Sequence, residues 1–341
     1  MKNSFVRDEN LEKVLNRYPF LEDYLKTNMI DIELNRSLNE ILSQYTSEDL
    51  SEKGIDRDRF LEDTDIFIEQ MKEILGLESN SIDELTILPG INKLGEKESF
   101  ESITIKKGEI VSIVGPTGSG KSRLLADIEW GAQRDTPTQR QILIDGKPLG
   151  RKERFSIENK LVAQLSQNMN FVMDLTVTEF LELHAKSRMV ENESEIVEKI
   201  FTKANELAGE KFSLSSPITS LSGGQSRALM IADTAILSRS PIVLIDEIEN
   251  AGIDRKKALQ LLTGEEKIVL MATHDPLLAL MGNKRIVIKN GGIAKVMEIT
   301  DEERDILTDL MKVDGIIQTM RNRLRYGEKL ELDLVKELGL C

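Results

Sequence analysis

The chain has 341 residues, 40% of them hydrophobic and 30% charged, and its 45 basic and 59 acidic side chains leave a net charge of −14. That composition fits a soluble globular protein of two or three compact units, and the acidic balance argues against a nonspecific grip on nucleic acid. The single cysteine, Cys341, excludes an internal disulfide, no apolar run reaches the roughly 20 residues of a membrane helix, and the first residues lack the apolar stretch of a signal peptide, so a cytoplasmic protein is expected.

Residues 1–80 are expected to form a helical accessory or docking domain. Leu11, Val14, Leu15, Tyr18, Leu21 and Leu25 recur at helical spacing, with Pro19 breaking or restarting the run. Leu34, Leu38, Ile41 and Leu42 form a second stripe, and Ile66, Phe67, Met71, Ile74 and Leu75 a third that Gly76 would stop. Arg17-Tyr18-Pro19-Phe20, followed by a helix and Met29-Ile30-Asp31, is similar to small helical domains found beside redox and metal-cluster proteins. The cysteine those domains often carry is missing, which leaves a docking or regulatory module.

The pattern changes to strands at Ile103-Thr104-Ile105. Ile110 to Val114 is a short β-branched run that feeds Gly115-Pro116-Thr117-Gly118-Ser119-Gly120-Lys121-Ser122, and a helix continues from Arg123 to Trp130. Strand, glycine loop and helix in that order make a phosphate-binding loop. Glycines let backbone amides wrap the phosphates, Lys121 supplies a point charge, Ser122 offers a hydroxyl to Mg²⁺, and the helix presents its positive end. Arg123 is counted with the loop as nucleotide-binding.

Ile142-Leu143-Ile144 predicts another strand, Leu175 to Ser238 is mainly helical, and Ile242–Ile245 and Ile268–Met271 are continuous apolar runs of the kind found in buried parallel strands. Ile286-Val287-Ile288 before Asn290-Gly291-Gly292 predicts a closing hairpin, and Asp301 to Cys341 returns to amphipathic helix. Asp246-Glu247 ends one apolar strand: Asp246 suits Mg²⁺ and Glu247 suits the orientation or deprotonation of an attacking water. His274 follows the next strand, whereas His184, within a helix, reads as structural.

Leu221-Ser222-Gly223-Gly224-Gln225, placed between the glycine loop and Asp246-Glu247, decides the family. With it, the chain from about Leu85 to Glu298 resembles the ATP-binding cassette (ABC) ATPases. The resemblance implies an α/β P-loop NTPase cassette at 81–300, with a mixed-sheet core and a helical subdomain at about 170–238. The helical N-terminal domain and a helical C-terminal tail at 301–341 are additions to it. It also implies ATP and Mg²⁺ as ligands and a homodimer with two ATP molecules sandwiched between the copies. In that sandwich Ser222, Gly223, Gly224 and Gln225 cap the ATP held by the partner's loop.

The family pattern further assigns His274 to the γ-phosphate and makes Asp254, in Ala251-Gly252-Ile253-Asp254, part of a loop along the dimer seam. Its glutamine lies ten residues before the Val of Leu175-Thr176-Val177, which selects Gln167 as Mg²⁺ ligand and γ-phosphate sensor; Gln164 is the alternative. The chain departs from the pattern in several places. No aromatic residue lies between Ile82 and Ser99 to stack on adenine, Ile248 stands where transporters have Pro, Asp233 where an Arg is common, and the Asp254–His274 stretch is short.

These departures favour a stand-alone ATPase that acts on a protein client through residues 1–80, in enzyme maturation or reactivation for example. The ATP-binding subunit of a membrane transporter, peripheral at the inner membrane face, is the second reading. An ATP-dependent dimerisation switch with little turnover is the third.

Overall fold

The computed structural model describes residues 4–74, 82–154, 160–166, 171–190, 192–246 and 252–330. Among the described residues, six helices occupy the first part: α1 (Ser4–Asp8), α2 (Leu11–Arg17), α3 (Phe20–Thr27), α4 (Leu38–Leu42), α5 (Ser47–Glu52) and α6 (Arg57–Ile74). Pro19 sits between α2 and α3 as the N-cap of α3, where its missing N–H costs nothing. Leu11, Val14, Leu21, Leu25, Leu38 and Ile41 are fully buried in a core that these helices close among themselves. Leu34, read as part of the second helical stripe, is exposed and lies outside α4.

Ten strands follow among the described residues: β1 (Glu84–Leu88), β2 (Ile103–Lys106), β3 (Ile110–Val114), β4 (Gln141–Ile144), β5 (Lys147–Pro148), β6 (Val162–Leu165), β7 (Ile242–Asp246), β8 (Ile268–Ala272), β9 (Lys284–Lys289) and β10 (Gly292–Glu298). They form an antiparallel sheet in the order β2-β1-β4-β5 and a mixed sheet in the order β10-β9-β3-β8-β7-β6. In the mixed sheet β3, β6, β7, β8 and β9 run parallel, and only β10 is antiparallel to its neighbour.

The apolar runs of β7 and β8 are buried on both faces, as continuous hydrophobic strands must be. Ile242 and Leu244 face the core shared with the antiparallel sheet and with α7 (Lys121–Glu129). Val243 and Ile245 face a second core on the opposite side, beneath α11 (Gly223–Ile236) and α12 (Arg255–Gly264). Between β9 and β10, Asn290 (φ 50°) and Gly291 (φ 77°) form the two-residue turn that the sequence marks, both in the left-handed region a type I′ hairpin needs.

The remaining helices are α8 (Arg151–Arg154), α9 (Val177–Ser187), α10 (Glu193–Leu207), α13 (Pro276–Met281) and α14 (Asp301–Arg325). Helices α9, α10 and α11 pack together around Phe180, Leu181, Ile200 and Leu229, a core separate from both faces of the mixed sheet. A fully buried cluster joins the two sheets. Arg140 donates to Glu98 (2.6 Å), to Asp127 on α7 (2.8 Å) and to the Gly291 carbonyl (3.0 Å). It therefore fixes the phosphate loop's helix against both the antiparallel sheet and the β9–β10 turn.

Candidate nucleotide site

The glycine loop leaves the carboxyl end of β3, at the centre of the mixed sheet. Gly115 adopts φ 154°, and a Cβ there would lie 2.5 Å from the Ile288 carbonyl oxygen. Gly120 caps α7 at φ 110°, where a Cβ would lie 2.9 Å from Gly291 Cα. Only glycine fits either place, and the loop closes on itself through the Ser119 amide, which donates to the Pro116 carbonyl at 3.0 Å. The Ser119 hydroxyl is buried within the loop and has no hydrogen-bond partner among the described residues.

Lys121 opens α7 and is almost fully buried. Its ammonium donates to the Gly115 carbonyl at 3.0 Å and to His274 Nε2 at 2.9 Å. Asp246, the last residue of β7, pairs in register with Ala272 of β8, and the backbone of Thr273 bonds to Ile113 of β3. The parallel register thus draws the ends of β3, β7 and β8 together. Asp275 caps α13 by accepting from the Leu277 amide at 2.7 Å, which holds His274 at the turn between strand and helix.

These ends enclose a cavity of about 450 Å³ lined by Thr117, Gly118, Gly120, Lys121, Ser122, Arg123, Asp246 and His274. Loop amides, two cations and the positive end of a nine-residue helix converge there, an arrangement that binds polyphosphate. Gly115, Pro116 and Ser119 build the loop behind this lining. Gln167 and Glu247 lie outside the described residues. Gln164, the alternative glutamine, is exposed on β6 and is not part of the lining.

Ser222, Gly223, Gly224 and Gln225 are absent from the cavity wall. They form the N-terminus of α11 through a capping box: the Ser222 amide donates to Gln225 Oε1 at 2.8 Å, and the Gln225 amide donates to Ser222 Oγ at 3.4 Å. Gln225 Nε2 also donates to the Glu210 carbonyl at 3.3 Å. Ser222 and Gly223 are exposed, so the positive end of a 14-residue helix faces outward. Asp254 caps α12 by accepting from the Lys257 amide at 3.1 Å, and its own amide donates to the Leu207 carbonyl at 2.8 Å.

Asp233, the residue at odds with the family pattern, accepts from His184 Nδ1 at 3.1 Å, while the His184 ring packs 4.2 Å from Phe180. Both side chains serve the packing of α9 on α11. Two further residues escape a reading by motif. Arg255, directly after Asp254, donates to Asp275 beside His274 and to Asp314 of α14 (2.9 Å). Lys93 reaches the loop from the β1–β2 connection and donates to the Gly118 carbonyl at 3.1 Å. The signal for Arg255 in sequence is only a basic residue after Asp254, Lys93 has none, and the partners of both lie 20 or more residues along the chain.

A phosphate loop at the carboxyl edge of a parallel sheet, with an acidic strand end beside it, defines a P-loop nucleotide-binding α/β protein. The family model described as ABC transporter matches residues 101–250. An uncharacterized ABC transporter ATP-binding protein of Methanocaldococcus jannaschii is 52% identical over 249 residues, which span 73% of this chain and 95% of that protein. The bacitracin export ATP-binding protein BceA of Halalkalibacterium halodurans is 30% identical over 243 residues, 67% of this chain and 93% of its own. Among solved structures, cbiO1 from Clostridium perfringens, part of the ABC transporter complex cbiONQ, shares the fold: TM-score 0.50 at 22% identity over 70% of this chain and 100% of its own. The chain belongs to the ABC transporter family of ATP-binding cassettes. Among the described residues no helix is long and apolar enough to cross a membrane.

Proposed function

We propose that the chain binds and hydrolyses Mg²⁺-ATP as a homodimer and that the cycle drives a membrane permease. The observation that carries the catalytic half is the convergence of Lys121, Ser122, Asp246 and His274 on one cavity. Loop amides and Lys121 hold the β and γ phosphates, and His274 reaches the γ-phosphate from the facing strand end. Ser122 and Asp246 present the oxygen donors that magnesium takes beside substrate phosphates, so the residues fit this ion. When bound, magnesium draws negative charge from the phosphates. Glu247, one position beyond Asp246, orients or deprotonates the attacking water, and Gln167 completes the set.

Ser222 to Gln225 lie on the outer surface of the helical subdomain, away from the cavity their own chain forms. A second copy related by a two-fold axis would bring that helix end onto the other copy's nucleotide. Glu247→Gln tests the reading. It should bind ATP, lose turnover, and elute from a sizing column as an ATP-dependent dimer. Unchanged turnover would remove Glu247 from the mechanism.

Two observations support the permease. The similar proteins named for a role are transport ATP-binding proteins. The helical subdomain also exposes an apolar group on which a permease segment could dock: Val172 is 92% exposed, with Met173 and Leu183 exposed nearby and Phe171 packed edge-on against Phe180 at 5.0 Å. Purification from detergent-solubilised native membranes should recover a multi-spanning partner. The reading in which residues 1–80 bind a soluble protein client draws on a different observation, the self-contained core of residues 4–74. A soluble complex held through that segment, with no membrane protein present, would favour it.

A further inference from the structure

Helix α14 runs for 25 residues, starts with a capping box between Thr300 and Glu303, and contains no buried residue. Three ion pairs tie it to the cassette: Arg285 with Glu303 (2.6 Å), Arg255 with Asp314 (2.9 Å) and Arg325 with Glu210 (3.7 Å). Leu307, Met311 and Asp314 follow the side that leans on the body. Along another side, Ile306, Leu310, Val313, Ile317, Met320 and Leu324 recur at alternating steps of four and three. Of these, Ile306 (47%), Val313 (45%), Ile317 (41%) and Leu324 (57%) are exposed.

A mean step of 3.5 residues keeps an apolar seam facing one partner helix of the same period, which a 3.6-residue step does not. The charges beside the seam select that partner and its direction. With Val313 set against the partner's Ile317, Leu310 meets the partner's Met320 and Ile306 meets the partner's Leu324. This antiparallel register places Asp309 beside the partner's Arg323, twice by symmetry. A parallel register would instead set Asp309 against the partner's Asp314 twice, whereas the antiparallel register brings like charges together only once, at the two Asp314 side chains, each already paired with Arg255 of its own chain.

We propose that α14 is a dimerisation helix that pairs antiparallel with α14 of a second copy, without nucleotide. The pairing is continuous with the surface that carries the seam loop and the helix-end motif. Arg255, which holds Asp314, follows Asp254 directly, and Glu210, which holds Arg325, accepts from Gln225 through its carbonyl. Two copies already joined at α14 keep their nucleotide faces at high effective concentration, so ATP closes a dimer rather than recruits one.

The test is sedimentation of the full chain at micromolar concentration in EDTA without nucleotide. Wild type and Lys121→Ala should both be dimers. Val313→Asp combined with Ile317→Asp should be a monomer with an unchanged circular dichroism spectrum, because both positions face solvent. A monomeric wild type, a doubly substituted dimer, or loss of the dimer in Lys121→Ala would overturn the proposal. Direction is read in a Cys341→Ser background. Ile306→Cys together with Leu324→Cys should cross-link under mild oxidation, whereas Leu324→Cys alone should not. Cross-linking of Leu324→Cys alone would mean a parallel pair and would contradict the proposed register.

Discussion

Lys121 Nζ donates to His274 Nε2 across 2.9 Å and so joins the first residue of α7 to the turn after β8. An ammonium can only donate, so Nε2 is the accepting atom of this pair. The two side chains line the same cavity from the carboxyl ends of neighbouring parallel strands, and their proposed tasks are separable. Lys121→Ala removes the cation proposed to hold the phosphates and should abolish nucleotide binding at millimolar ATP. His274→Ala should keep binding within a few-fold and lose about 10²-fold or more in kcat, the scale of one transition-state contact. Fluorescent-nucleotide titration with phosphate-release kinetics separates them; equal loss of affinity in both variants would contradict the division.

Arg140, Glu98 and Asp127 make an ion triad with side chains at most 1% exposed. Arg140→Met strands two buried carboxylates and should cost about 3–5 kcal/mol in urea unfolding. Adding Glu98→Gln and Asp127→Asn removes the stranded charges and should recover a large part of that loss. No recovery would mean that the hydrogen bond to the Gly291 carbonyl, rather than charge balance, is what the arginine contributes.

Lys267 is buried and donates to the carbonyls of Ser238 (2.7 Å) and Ser240 (3.0 Å). Burial pulls its ammonium down from 10.5 to about 8, with Glu265 acting in the opposite direction. The sign follows from linkage. Between pH 8 and 10.5 the unfolded chain holds a proton at this site that the folded chain has released, so stability rises with pH across that window. Relative to Lys267→Met, wild-type unfolding free energy should climb by about 3 kcal/mol between those limits. Parallel pH profiles for the two proteins would contradict it.

Much of this architecture is legible in the sequence, for a local reason. The glycine loop, β7, β8 and the Asn290-Gly291 turn are contiguous patterns whose meaning needs no distant partner. β1 is not legible in that way: Glu84 to Leu88 becomes a strand because β2 and β4 flank it, and β4 lies more than 50 residues on. Helix α5 had a local signal, the Thr46 and Asp49 capping box, but it is too short to show periodicity. In α14 the apolar stripe is legible, but the side that leans on the cassette is set only by the fold, through Arg285, Arg255 and Glu210. At the site, the loop, Asp246 and His274 could be read from order along the chain. Arg255 and Lys93 could not, since only the fold brings them to Asp275 and Gly118.

A sandwich dimer requires Ser222 to Gln225 to serve the nucleotide of another copy, and combining two inactive chains tests this most directly. Lys121→Ala lacks a working loop, and Ser222→Arg lacks a working helix end, so each should be inactive alone. If the sites are shared, a mixed dimer holds one intact pair, Lys121 from one chain and Ser222 from the other. Produced together in equal amounts, so that the chains assort at random as they dimerise, the two variants should then give roughly a quarter of wild-type phosphate release, since half of the dimers are mixed and each has one good site. If Ser222 serves its own chain's loop, every site in the mixture carries a defect, and the activity stays at background.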